Sequence, residues 1–234
     1  VLRLKFVFES LEEIPEVKLA LENTTAAITF NGKKVSLENT GWYTDEDIVC
    51  RDLGSVRKGS NELLVEIPYR RKENVENLFL LGDFGVETAG GDAWITGPVR
   101  SLAFGDITRQ GLAFYGGNVE YQIPVNVQED GELTIHASQF RAPLLTVRLD
   151  DEAEMQIAYS PYSAVLPIKK GSHILRLTAF GNRVNTFGTL HNCNYVEAWC
   201  GPNAWRTEGD QWAYEYQLKP TGVLKAPKLT FKPK

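Results

Sequence analysis

The chain has 234 residues, 43% of them hydrophobic and 24% charged, a composition that supports a packed core and argues against disorder. Its formal charge of −5 and pI near 5.4 argue against nucleic acid or an anionic membrane as partner. No apolar run approaches the roughly 20 residues a membrane-spanning helix needs, and the longest basic run, Arg70-Arg71-Lys72, reads as a solvated loop.

The first element is a strand, because Leu2, Leu4, Phe6 and Phe8 alternate with polar or smaller residues. It has no charged leader, apolar block or cleavage site, so it does not read as a signal peptide. No Met precedes it, and the expectation is a chain cut from a longer one rather than a processed precursor. Composition is compatible with the cytoplasm and with an exported bacterial protein alike. Glu9 to Glu16 is acidic, but Pro15 interrupts it and it is too short for an independent helix.

Val17-Leu19-Leu21 predicts a second strand. Ala27 to Phe30 then runs through Asn31-Gly32 into Lys33-Lys34-Val35. Asn-Gly between apolar runs predicts a two-residue type I′ hairpin, whose central residues both need positive φ. Further strands are predicted at Glu62–Ile67, Leu78–Leu81, Val99–Leu102, Asn118–Ile123, Leu133–His136, Leu144–Leu149, Ile174–Phe180 and Trp212–Leu218. Many short strands with turn signals and no intervening helices predict an all-β chain of antiparallel sandwiches of the jelly-roll kind.

A weak internal repeat sharpens that expectation. Ile28-Thr29-Phe30-Asn31-Gly32, with Val56-Arg57-Lys58-Gly59-Ser60-Asn61 and a long strand, is echoed by Thr146-Val147-Arg148-Leu149-Asp150-Asp151, with Ile168-Lys169-Lys170-Gly171-Ser172-His173 and another long strand. The reading is a tandem β-sandwich, residues 1–105 and 106–234. The join falls in the glycine-rich stretch between Asn74 and Gln110.

Catalytic chemistry finds little support. Glycoside hydrolysis needs two facing carboxyls, and Asp83, Glu87, Asp92, Glu197, Glu208 and Asp210 all stand in contexts that read as solvated loop. No Gly-x-Ser-x-Gly elbow is present, so no catalytic residue is assigned. Three cysteines are too few for a disulfide scaffold; Cys193 and Cys200 are near enough to bridge, but free or buried thiols are the expectation. His191 and Cys193 lack the second pair that zinc would want, so no metal is assigned.

Sugar recognition makes a different demand, an aromatic face for the pyranose and planar polar groups for its hydroxyls. The stretch from Phe180 to Trp212 is rich in both. The candidate carbohydrate-binding residues are Asn182, Arg183, His191, Trp199 and Trp205, with Trp94 and Tyr115 as further surface. Against this stands the ordinary use of sandwich aromatics as core and of Asn and Gly as turn residues.

The hairpin Ile28 to Val35, the Gly41-Trp42 step and the run Asp52 to Leu63 resemble the sugar-binding jelly roll of family 2 glycoside hydrolases, within the wider galactose-binding-like fold. Gln110–Tyr121, Gly181–His191 and Trp212–Leu224 are similar to C-terminal β modules of family 2-like or rhamnosidase-like hydrolases. The resemblance implies carbohydrate as partner, together with a catalytic domain of the same parent polypeptide. In such enzymes the catalytic carboxylates sit on a separate barrel that nothing here resembles. The first sandwich also lacks the strand or two that usually precede the segment Leu19 to Glu22, which implies truncation. Galactose-binding-like domains often carry a structural calcium; Asp45, Asp47, Asp52 and Asp83 are candidates without calcium-loop spacing. Two readings follow: a non-catalytic carbohydrate-associated fragment, or a stand-alone saccharide hydrolase with unidentified carboxylates.

Overall fold

The computed structural model describes residues 1–22, 26–71, 75–193 and 208–234. The chain is all-β and forms two compact units, Val1–Thr88 with Asp92–Val99, and Ala89–Gly91 with Arg100–Lys234. No helix among the described residues is long and apolar enough to cross a membrane.

Unit 1 contains β1 (Leu2–Ser10), β2 (Ile14–Leu21), β3 (Ala27–Phe30), β4 (Lys33–Lys34), β5 (Trp42–Tyr43), β6 (Asp45–Val56), β7 (Gly59–Ile67), β8 (Phe79–Gly82), β9 (Gly85–Ala89) and β10 (Asp92–Thr96). They form a six-stranded sheet, β4-β3-β7-β1-β10-β9, and a four-stranded sheet, β5-β6-β2-β8. Alternation sorts the side chains: Leu63, Val65 and Ile67 of β7 point inward, and Glu62 and Glu66 point out to pair with Lys5 and Arg3 of β1. Ile14, Val17, Leu19 and Leu21 of β2 meet Ile28, Phe30 and the β7 residues in one core, so the two sheets close on each other as a sandwich. Strand β1 pairs antiparallel with β7 and parallel with β10.

The hairpin is as the sequence predicts, with φ of 47° at Asn31 and 78° at Gly32 and Phe30 directly opposite Lys33. Pro15 lies within β2, where the register against β6 shifts between Ile14 and Val17; the irregularity removes the need for the amide that proline lacks.

Unit 2 contains β11 (Val119–Val127), β12 (Gly131–His136), β13 (Leu145–Leu149), β14 (Met155–Ile157), β15 (Ser163–Ile168), β16 (Gly171–Ala179), the single-turn helix α1 (Val184–Phe187) and β17 (Lys228–Pro233). Its sheets are β11-β16-β13-β14 and β15-β12-β17. Leu175, Leu177 and Ala179 of β16 pack with Leu145, Val147 and Leu149 of β13 on one side. Leu133 and Ile135 of β12 and Leu166 and Ile168 of β15 close the core from the other.

The internal repeat appears in matching hydrogen bonds. In unit 1, Asn31 Oδ1 accepts from Glu62 N at 2.9 Å, and Asn31 Nδ2 donates to Asn61 Oδ1 at 2.8 Å. In unit 2, Asp150 has φ of 49° and its Oδ1 accepts from Ile174 N at 2.8 Å, while Oδ2 receives His173 Nδ1–H at 2.6 Å. Both turn residues also donate their backbone N–H to the same partner strand, Asn31 to Glu62 O and Asp150 to Ile174 O. One geometry is built from an amide pair in one unit and an acid–imidazole pair in the other.

Two predicted strands are absent. Val99–Leu102 has no ladder; the Gln110 side chain pairs the adjoining residue instead, its Oε1 accepting from Ala103 N at 2.9 Å and its Nε2 donating to Ala103 O at 3.2 Å. Trp212–Leu218 forms an isolated bridge, Asn192 to Trp212, and is otherwise irregular. Its aromatic residues alternate in sequence without alternating across a sheet: Trp212 packs edge-on to Tyr214 at 4.4 Å, and Tyr214 is 77% exposed.

Candidate functional site

A groove of about 1100 Å³ opens in unit 2. Its walls are the segment 138–142 after β12, Tyr162 ahead of β15, residues 182–188 around α1, and the segment 219–224. These pieces are distant in sequence, and specific polar contacts tie them together. Arg141 and Gly222 exchange backbone hydrogen bonds at 2.8 and 3.0 Å, which fixes the first wall to the last.

Asn185, only 3% exposed, fixes α1 to the same last wall. Its Nδ2 donates to Lys219 O and its Oδ1 accepts from Lys219 N, both at 2.8 Å. Asp106 Oδ1 accepts from Thr221 N at 3.2 Å, which holds the segment from behind. The turn before α1 is anchored by Gly181 N donating to Asn118 Oδ1 at 2.9 Å, and α1 itself by Thr186 Oγ1 donating to Phe114 O at 2.8 Å. Gly181 is required there, because a Cβ would run into the carbonyl oxygens of Gly116 and Gly117.

The lining combines rings with planar polar groups. Phe140 and Tyr162 meet edge-to-face at 5.2 Å, with Phe187 also on the wall. Gln139, Asn182, Arg141, Arg183 and Lys219 supply donors. Among the described residues, no Asp or Glu lines the groove, and no pair of carboxyls for glycoside hydrolysis is found there.

The sequence candidates distribute unevenly. Asn182 and Arg183 line the groove. Tyr115, 44% exposed, lies outside the lining and donates its hydroxyl to Asn118 O at 3.2 Å. His191 also lies outside it: Nδ1–H donates to Ala213 O at 3.0 Å, and the ring packs against Trp212 at 5.6 Å and Tyr216 at 5.0 Å. Trp94 belongs to unit 1, half-buried in β10 opposite Glu9. Trp199 and Trp205 fall outside the described residues, as does Cys200. Sequence reasoning missed Phe140, Arg141, Tyr162, Phe187 and Lys219. Each is unremarkable in its own segment, and only the Arg141–Gly222 and Asn185–Lys219 contacts bring those segments together.

The Asp150–His173 pair is held too tightly for chemistry. His173 Nε2–H donates to Lys169 O at 2.8 Å while Nδ1–H meets Asp150, so neither nitrogen is available as a base. The hydrogen bond that His173 donates to Asp150 raises the imidazole pKa, and the Ile174 N–H followed by His173 lowers that of Asp150. Cys50 and Cys193 are free thiols, and burial pushes the Cys50 thiol up. Among the described residues, no three His, Cys, Asp or Glu side chains gather as a metal site.

No protein-family model and no curated protein matches the chain. Among solved structures it is similar to a β-D-mannosidase from Dictyoglomus thermophilum, at 14% identity and a TM-score of 0.24, over 77% of this chain and 24% of that one. It is also similar to a GH2 β-galacturonidase from Eisenbergiella tayi bound to galacturonate, at 13% identity and a TM-score of 0.22, over 84% of this chain and 30% of that one. The chain thus spans less than a third of either protein, and both likenesses are distant.

Proposed function

We propose that the chain is a non-catalytic, carbohydrate-associated pair of β-sandwiches from a larger glycoside hydrolase-like polypeptide, and that the groove of unit 2 holds a saccharide. The observation that carries this reading is the lining itself. Phe140, Tyr162 and Phe187 offer rings, and Gln139, Asn182 and the two arginines offer donors. A pyranose has one apolar face and a rim of hydroxyls, and such a wall suits both. The lack of lining carboxyls among the described residues favours holding a glycan over cleaving it. Cleavage then belongs to a catalytic domain of the same polypeptide, beside which unit 2 would retain the chain being cut.

A glycan-array screen of the full chain tests this, with Tyr162→Ala and Asn182→Ala as variants. The expected result is binding to at least one glycan, weakened about tenfold in either variant, with no reducing ends released. A folded chain that binds no glycan at millimolar concentration refutes the saccharide groove. Release of reducing ends by the purified chain refutes the non-catalytic assignment.

A further inference from the structure

The groove inverts the charge of the chain around it. The sequence carries 30 acidic and 25 basic residues, yet the charged side chains of the lining are Arg141, Arg183 and Lys219, all basic. Among the described residues, no carboxylate pairs with Arg141 or Arg183. The hydrogen bond that Arg141 Nη1 makes is a long one, 3.5 Å, to the carbonyl of its neighbour Phe140. Two guanidiniums gathered in a concave site, with no carboxylate beside either among the described residues, focus a positive potential there, and an anion entering the groove relieves their mutual repulsion.

The form of the anion follows from the rest of the wall. A guanidinium presents a planar fork that matches a carboxylate at two points. Phe140 and Tyr162 suit a flat apolar ring face, and Asn182 suits hydroxyls. A sugar acid has all three features in one residue. We infer that the groove takes a uronate-containing oligosaccharide, its carboxylates held by Arg141 and Arg183 and its ring faces by Phe140 and Tyr162. This inference rests on the saccharide reading and narrows it to an acidic substrate class.

The test is calorimetric titration of the full chain with tetramers of galacturonate, mannuronate and glucuronate, each beside its methyl ester. The ester keeps the rings and hydroxyls and removes the charge. At least one free acid is expected to bind about tenfold to a hundredfold more tightly than its ester, with the gap narrowing as salt is added. Arg183→Gln and Arg141→Gln, each verified to unfold cooperatively, are expected to narrow that gap by about tenfold, weakening the acid more than the ester. Equal binding of acid and ester overturns the acidic preference and leaves a neutral-saccharide groove standing. Binding of neither overturns both readings. Acid binding untouched by both arginine variants puts the ligand elsewhere and overturns the assignment. A sulfated tetramer that matches the best uronate overturns the carboxylate in favour of the ester-linked oxyanion.

Discussion

The Asn185 amide faces the Lys219 peptide as a strand neighbour would, giving one hydrogen bond and accepting another. Its removal takes both hydrogen bonds from the Lys219 peptide at the junction of α1 and the last groove wall, and leaves the carbonyl to the Thr221 hydroxyl, which donates to it at 3.1 Å. Asn185→Ala is expected to destabilise unit 2 by about 2 kcal/mol or more, given the cost of stranding buried polar groups. Denaturant melts of the variant check this, and a loss within about 0.5 kcal/mol would mean water replaces the amide.

His173 makes a prediction in pH. Its pKa is raised above the ordinary 6.5, so its contribution to stability is complete below 6.5 and is lost as pH climbs through the folded value. Asp150 is lowered from 3.8, so its contribution is complete above 3.8 and is lost as pH falls through the folded value. The pair is therefore at full strength between 3.8 and 6.5. Because the Asp150 side chain is 44% exposed, solvent screens the pair and the effect is modest. Melting temperature is expected to decline as pH rises past 6.5, and His173→Asn is expected to flatten that decline. Parallel curves for the two proteins would show that the pair has no part in it.

At the scale of elements, β16 is the strand on which unit 2 depends. It pairs with β11 on one edge and β13 on the other, and it sends Leu175, Leu177 and Ala179 into the core. Leu177→Ala is expected to cost about 2–5 kcal/mol by cavity formation, measured as a shift in the unfolding midpoint. An unchanged midpoint would mean the core collapses to fill the space. The same strand was among the clearest in the sequence, because its alternation runs through seven residues. Strands containing proline were harder to see. Pro167 lies in β15 and Pro124 in β11, both edge strands, with the ring on the exposed side where no ladder amide is needed. Trp212–Leu218 failed in the opposite sense, since three aromatics at alternate positions imitate a strand while packing on one another and on His191.

For the molecule as a whole, the all-β class was legible because it is written in local periodicity, which each segment carries for itself. The groove was legible only where one segment holds its own part, as in Asn182-Arg183. Its other walls come from distant chain positions, joined by backbone contacts such as Arg141 to Gly222 that leave no trace in a local pattern. Loop composition pointed instead to His191, whose neighbours turn out to be packing partners.

The two turn locks also make this chain a natural comparison of materials. At corresponding corners, Asn31 with Asn61 and Asp150 with His173 hold the same left-handed residue against the same kind of partner strand. What the corner demands is an acceptor for one backbone amide and a side-chain neighbour to steady it, and two unlike chemistries satisfy that demand. The corner is in this sense a socket, open to exchange between copies: a neutral plug makes it indifferent to acidity, and an ionisable one lends it a sensor.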